Sequence, residues 1–296
     1  MAFVISRIKG GLGNQLFCYA VARRLALANN VELVIDHVSG FARDRQYCRR
    51  YMLDHFHIPA RKATAAERME PFERHRRGVA KWIARRQPFA ARRYLENEGI
   101  AFDKRILDFK VNKTLYLDGQ WHSENYFKDV EKIIRKDLLI IPPADELNRR
   151  MAENARNSNS VALHVRWFDG HGSVSTHNAS VDYYKRAIAL IGSKIDSPCY
   201  YLFSDDPEAA RTKLSLPEDR VVVVAHNRGD ENAYADLWLM TQCKHFITAN
   251  STFSWWGAWL GNEENKLVVT PAIRQETIEK TNWGFDGLIP AGWLET

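Results

Sequence analysis

The sequence predicts an α/β protein of two domains, each built on a parallel sheet, and three observations lead there. The chain has 296 residues, a length at which one hydrophobic core usually becomes two. From about residue 161 onward, short apolar strands alternate with amphipathic helical patterns. At the N-terminus a strand, a glycine-rich loop, a helix and a second strand follow in the order of a βαβ start.

Taken in order, residues 3–8 read as the first strand, Lys9-Gly10-Gly11-Leu12-Gly13-Asn14-Gln15 as the loop, the stretch to about Asn29 as a helix, and 31–35 as the next strand. That start is Rossmann-like. The loop lacks the third glycine of a dinucleotide fingerprint, so NAD binding is not expected. Glycines let backbone approach a ligand, and Asn14 with Gln15 offers donors and acceptors that suit a sugar, unless Asn14 merely caps the turn. Between about 40 and 110 charge is dense and the pattern helical, and the sheet resumes near 114–117. Turn chemistry at Pro142-Pro143 and over 154–160 places the boundary there, giving domains 1–150 and 151–296.

In the second domain, 161–165, 199–203, 221–224, 246–249 and 267–269 read as strands. Between them lie helices at 181–191, capped by Ser180, and at 232–242. Such alternation implies right-handed crossovers and a ligand site beyond the carboxyl ends of the strands. Those ends carry His164-Val165-Arg166, Ser204-Asp205-Asp206, Ala225-His226, Asn250-Ser251-Thr252 and Thr270-Pro271.

Composition is ordinary for a globular chain, with 45% hydrophobic and 26% charged residues. No apolar run reaches the roughly 20 residues that span a bilayer, and the chain enters its first strand without a signal pattern, so a cytoplasmic placement is expected. The scattered Cys18, Cys48, Cys199 and Cys243 argue against a cysteine metal site or a disulfide framework. Net charge is +6, yet residues 43–93 alone hold fifteen Lys and Arg against five Asp and Glu. This basic helical insertion, with Trp82, Phe89 and Tyr94 interleaved, suits an anionic membrane surface or an acceptor such as a lipid-linked pyrophosphate, or is simply a solvated basic subdomain. Nucleic acid is not expected, because no recognition signature accompanies the arginines.

The densest motif is Ala249-Asn250-Ser251-Thr252-Phe253-Ser254-Trp255-Trp256-Gly257-Ala258-Trp259-Leu260, a turn between an apolar strand and a helix. A helix starting there directs its N–H groups and positive dipole end at whatever lies above, and phosphate is a common occupant; the plainer reading is a cap on a buried Trp-rich helix. At the end of the 161–165 strand, His164 and Arg166 share one face while Val165 faces the other way. A planar guanidinium at a strand end matches two pyrophosphate oxygens, or else pairs with Asp169. Asp205 and Asp206 precede Pro207, where a purely structural cap is the competing reading. Asp236, on the helix before, can accept two N–H bonds from a guanine edge or sit solvated.

Together, Gly10-Gly11-Leu12-Gly13-Asn14-Gln15-Leu16-Phe17, Asp118-Gly119-Gln120-Trp121-His122-Ser123-Glu124-Asn125-Tyr126-Phe127, His164-Val165-Arg166, Phe203-Ser204-Asp205-Asp206 and Asp236-Leu237-Trp238-Leu239-Met240 through Ser254-Trp255-Trp256-Gly257-Ala258-Trp259 resemble glycosyltransferase family 11, the α-1,2-fucosyltransferases, in order and spacing. The resemblance implies a GT-B-like fold of two facing Rossmann-like domains, with GDP-L-fucose held mainly by the C-terminal one and acceptor groups from the N-terminal one. It also implies inversion at the anomeric carbon with no metal and no cofactor beyond the donor. The donor contacts it suggests are His164, Arg166, Asp205, Asp236, Asn250, Ser251, Thr252, Phe253, Ser254, Gly11, Gly13 and Gln15; the catalytic candidates are Arg166, Asp169 and Asn14. For a general base, Asp169, His171, His177 and Glu124 are all at hand.

The expected acceptor is a galactoside or oligosaccharide of a surface glycan, lipid-linked or free, with peripheral membrane contact through 43–93. The family usually carries a second Arg directly after the first, and here that place is Trp167. Two other functions therefore stand beside the first: a GDP-sugar-binding protein without catalysis, and a transferase for another GDP-sugar.

Overall fold

Two sheets form, and every strand in each runs parallel to its neighbours. The computed structural model describes residues 2–45, 47–97, 102–167, 179–272 and 287–296. The chain divides into two compact units, Met1–Leu139 with Gly287 and Leu288, and Ile140 onward closed by Ile289–Thr296. The fold is α/β and GT-B-like, with one parallel sheet in each unit.

The first unit contains β1 (Phe3–Arg7), α1 (Leu12–Ala28), β2 (Glu32–Asp36), β3 (Arg61–Lys62), α2 (Glu73–Arg85), β4 (Tyr94–Glu96), β5 (Leu115–Asp118) and α3 (Glu131–Asp137). Its strand order is β3-β2-β1-β5-β4. The central strands are apolar on both faces because helices cover both, so Val4, Ile5, Val34, Ile35, Leu115 and Leu117 are all buried. Chain order reverses between β1 and β5, which opens a crevice at their carboxyl ends.

The stretch read as helical between 40 and 110 holds two strands, β3 and β4, besides the helix α2. The basic segment is thus woven into the sheet rather than inserted as a helical block. The two residues of β3, both exposed, and the three of β4, two of them buried, are too few to show a period of two.

The second unit runs α4 (Glu146–Asn157), β6 (Ser160–Val165), α5 (Val181–Gly192), β7 (Cys199–Ser204), α6 (Pro207–Leu214), β8 (Val221–Val224), α7 (Ala233–Thr241), β9 (His245–Ile247), α8 (Thr252–Leu260), β10 (Val268–Thr270) and β11 (Leu294–Glu295). The order is β11-β10-β9-β6-β7-β8, so the reversal falls between β6 and β9. The region read as a turn-rich linker contains α4, whose Asp145 cap accepts from Asn148 N at 2.9 Å and whose Ala152 and Ala155 pack into the second core. The compact units accordingly part at Leu139 and Ile140.

Strand alternation sorts the core of this unit. Val161, Leu163 and Val165 pack with Tyr184, Ala187 and Ile191 of α5, whereas Ala162 packs with Trp238, Leu239 and Ala258 of α7 and α8. Caps fix the helix starts: Ser180 Oγ accepts from Tyr183 N at 3.1 Å, and Asp206 Oδ1 from Ala209 N at 2.9 Å with Pro207 next. Asp206 is therefore a structural cap.

In the first unit the chain leaving β2 presses on the end of β1, and a Cβ at Gly40 would lie 1.9 Å from the Ile8 carbonyl oxygen. Backbone cannot yield as a side chain does. Gly40→Ala is expected to cost about 1–3 kcal/mol, read as a lower urea midpoint at unchanged slope.

Candidate functional site

At the carboxyl end of β6 the two faces of the strand do different work. His164 is buried and its ring lies 5.6 Å from that of Phe253 at the start of α8. Burial, helped by Arg166, pushes its pKa down to about 3, so the imidazole is neutral, and its Nδ1 is buried without a hydrogen-bond partner. Arg166 Nε lies 3.5 Å from Asp205 Oδ2 at the end of the adjacent β7, with both side chains partly exposed. Asp205 also accepts from Trp167 N at 3.1 and 3.2 Å, which pins the strand exit.

Trp167 belongs to the opposite face. It packs in the core with Tyr184, ring centroids 6.3 Å apart, and Lys213 Nζ sits 5.1 Å from its ring centre. The departure from the family pattern thus lies under the sheet, away from the side that carries Arg166.

Across the strand reversal, β9 pairs with β6 and leads into α8. Ser251 is the N-cap, its Oγ accepting from Phe253 N at 3.3 Å. Ser254 is buried, accepting from Ala249 N at 3.1 Å and donating to Ser251 O at 3.4 Å. Its hydroxyl is used in holding the turn. Asn250, Thr252 and Phe253 are half-buried beside it. The tryptophans are scaffold: Trp255 stacks on Trp259 at 6.1 Å and leans on Trp293 at 5.7 Å, while Gly257 lets α7 approach so closely that a Cβ would lie 2.9 Å from Met240 Sδ.

Asp236 ends a polar chain that sequence reasoning missed. Asn227 Nδ2 donates to Asp236 Oδ1 at 2.9 Å, Asn227 and Asn148 exchange amide bonds at 2.8 and 3.1 Å, and Asn148 Nδ2 donates to Asp145 Oδ2 at 2.8 Å. Burial raises the Asp236 pKa to about 7 against the pull of Asn227. No local motif links residues so far apart in sequence.

In the first unit, Gly10 takes φ +77° and Gly11 caps α1, which contains the buried Gly13. Gln15 is wholly buried and fully used, donating to Gly10 O and Arg50 O at 2.9 and 2.8 Å and accepting from Met52 N at 3.0 Å. It ties the glycine loop to the basic segment. Asn14 Oδ1 lies 3.1 Å from His122 Nε2, whose pKa burial and Lys9 push down to about 4. Glu124 is buried and pairs with Lys128 at 3.2 Å. Asp169, His171 and His177 lie outside the described residues.

A second residue missed from sequence is Asp118, at the end of β5 and 2% exposed. Its carboxylate meets Lys9 Nζ at 2.8 Å, Arg7 Nη1 at 3.2 Å, Lys81 Nζ at 3.2 Å and Tyr94 OH at 2.6 Å. Burial alone would raise its pKa, but Lys9 and Arg7 outweigh that and hold it well below the usual carboxylate range.

Two parallel-sheet units with polar groups gathered at the carboxyl ends of their strands define a GT-B-like architecture suited to ligands beyond those ends. The model of glycosyl transferase family 11 matches residues 3–285, and the chain belongs to that family. It is 29% identical over 293 residues to the O-antigen biosynthesis glycosyltransferase WbnK of Escherichia coli, covering 90% of this chain and 93% of that one. It is 27% identical over 282 residues to an alpha-1,2-colitosyltransferase of Escherichia coli, covering 92% of each. Among solved structures the fold resembles Arabidopsis thaliana FUT1 in complex with GDP, with TM-score 0.53, 12% identity and coverage of 90% and 70%. It also resembles NodZ alpha-1,6-fucosyltransferase soaked with GDP-fucose, with TM-score 0.51, 16% identity and coverage of 88% and 92%.

Asp236 yields a test of this geometry. Its folded-state pKa near 7 exceeds the ordinary 3.8, so the native state holds the proton more tightly than the unfolded chain. Its contribution is greatest where it is protonated and is lost as pH rises toward 7. Relative to Asp236→Asn, wild-type stability is expected to fall from pH 4 to 7 and to level above it, as read by urea unfolding at each pH; parallel profiles would contradict the burial.

Proposed function

We propose that this glycosyltransferase moves L-fucose from GDP-L-fucose to a hydroxyl of a surface-glycan acceptor, O-2 of a galactoside in the α-1,2 form, with inversion and without a metal. The observation that carries the reading is the placement of Arg166 and the start of α8 at the ends of adjacent parallel strands, on both sides of the strand reversal. The resemblance to GDP-fucose and GDP complexes in the solved structures and the O-antigen relative support it.

In this mechanism the acceptor hydroxyl attacks C1 from the face opposite GDP through an oxocarbenium-like transition state. Negative charge then grows on the β-phosphate, where Arg166 and the N-terminal turn of α8 meet it. One well-placed donor of this kind supplies on the order of 3 kcal/mol. Asp205 orients the guanidinium. Asp236 and the neutral His164 face the guanosine part, with Asp236 ionising as it accepts the guanine N–H groups. Departure of GDP leads and proton loss lags, so no strong base is needed.

A peripheral membrane contact fits α2 and its flanking residues, where Phe72, Val79, Trp82 and Ile83 are exposed along with Arg76, Arg85 and Arg86. Among the described residues no helix is long and apolar enough to cross a membrane.

A second reading, a transferase for another GDP-sugar, is favoured by the relative named a colitosyltransferase. GDP release measured over a panel of nucleotide sugars separates the two: preference for GDP-fucose is expected, and preference for a different sugar would replace the first reading with the second. Arg166→Ala is expected to lower kcat about 100-fold or more with GDP binding weakened less. Activity that EDTA removes would refute the metal-free route. GDP affinity is expected to rise with pH toward 7 in the wild type and to lose that slope in Asp236→Asn, as calorimetry would show.

A further inference from the structure

At the carboxyl ends of β1 and β5, in the first unit, lies a cavity of about 540 Å³. Its lining draws Arg7 from β1, Arg43 from the loop after β2, Arg74, Arg77 and Lys81 from α2, and Asp118 from β5. The spacing of Arg74, Arg77 and Lys81 puts them on one face of the helix. Five cations thus converge from three segments, against three carboxylates that also border the space.

Two of those carboxylates are already engaged. Asp118 is surrounded by Lys9, Arg7, Lys81 and Tyr94, and Asp44 accepts from Tyr47 N at 2.9 Å and Arg49 N at 3.1 Å. The third, Glu73, stands in the first turn of α2, where the helix dipole favours it. On the other side, neither Arg43 nor Arg74 pairs with a carboxylate among the described residues.

Arg77 is the informative member. It is 9% exposed, yet its Nη1 is buried with no hydrogen-bond partner. Burying a guanidinium without satisfying its N–H groups is unfavourable. A ligand presenting two anionic oxygens would relieve it, because the planar fork matches phosphate and carboxylate alike.

We infer that this cavity binds the acidic group of a charged saccharide, a phosphate or carboxylate carried on the acceptor. The inference rests on the transferase function proposed above and names the chemical class of its acceptor. The two sources share one chemistry, a sugar ring bearing anionic oxygens.

The test is equilibrium binding by calorimetry to the full chain saturated with GDP, so that the nucleotide site is filled. Glucose 1-phosphate, glucuronic acid and glucose are titrated in parallel. At least one acidic sugar is expected to bind about tenfold or more tightly than glucose; preference for the first identifies a phosphate source, and for the second a carboxylate source. Arg77→Gln and, separately, the exposed Arg74→Gln are each expected to reduce that preference several-fold while leaving GDP affinity unchanged. Arg74→Gln guards against a folding defect in the buried variant. Equal binding of all three sugars, or variants that keep the wild-type preference, would overturn the inference. Loss of GDP binding in the wild type would instead count against the donor site, and the sugar comparison is then read on the nucleotide-free protein.

Discussion

Parallel strands buried on both faces impose the constraint on which the rest depends. Their backbone groups are satisfied sideways, their side chains are apolar on both sides, and polarity is admitted only where the chain leaves the sheet. In the second unit the strand order reverses between β6 and β9, so the exits of these neighbours cannot be bridged by one crossover. Arg166 and the start of α8 occupy those exits, and Asp205 that of the adjacent β7. Their proximity follows from topology before any attraction between them is considered.

The same constraint explains what was readable in the sequence. Ser180 before an amphipathic run and Asp206 before Pro207 are local signals, and both are caps in the structure. The alternation of His164, Val165 and Arg166 likewise needs only a period of two. By contrast, Asp118 meets Arg7 across 111 positions and Asn148 meets Asn227 across 79, so these networks exist only after folding. Strands β3, β4 and β11 escaped for another reason: two or three residues carry no periodicity, and their pairing is dictated by neighbours already in the sheet. The motifs at strand ends were legible because chain order and polarity coincide there, while the structural bonds of Gln15 and Ser254 were not, because only the fold shows that a polar residue in a motif is used by the loop that presents it.

Trp167 shows how alternation protects a site from a change beside it. An arginine there would share neither face nor surroundings with Arg166, since this position faces Tyr184 and Lys213 within the α5 and α6 side of the sheet. Its backbone N–H still serves Asp205, a bond any residue but proline would make. The indole therefore trades a charge for apolar burial beneath the strand, while the geometry that positions Arg166 is retained through the main chain.

The two units treat buried charge in opposite ways, and the difference bears on chemistry. In the first unit Asp118 stays ionised because cations surround it. In the second, burial keeps His164 neutral and lifts Asp236 to the edge of neutrality, with amides rather than cations for company. Arg166, in turn, is held beside Asp205 at 3.5 Å at the exits of β6 and β7. In the transferase proposed above, Arg166 and the start of α8 would then act on charge that grows during bond cleavage more than on charge already spread over the ground state.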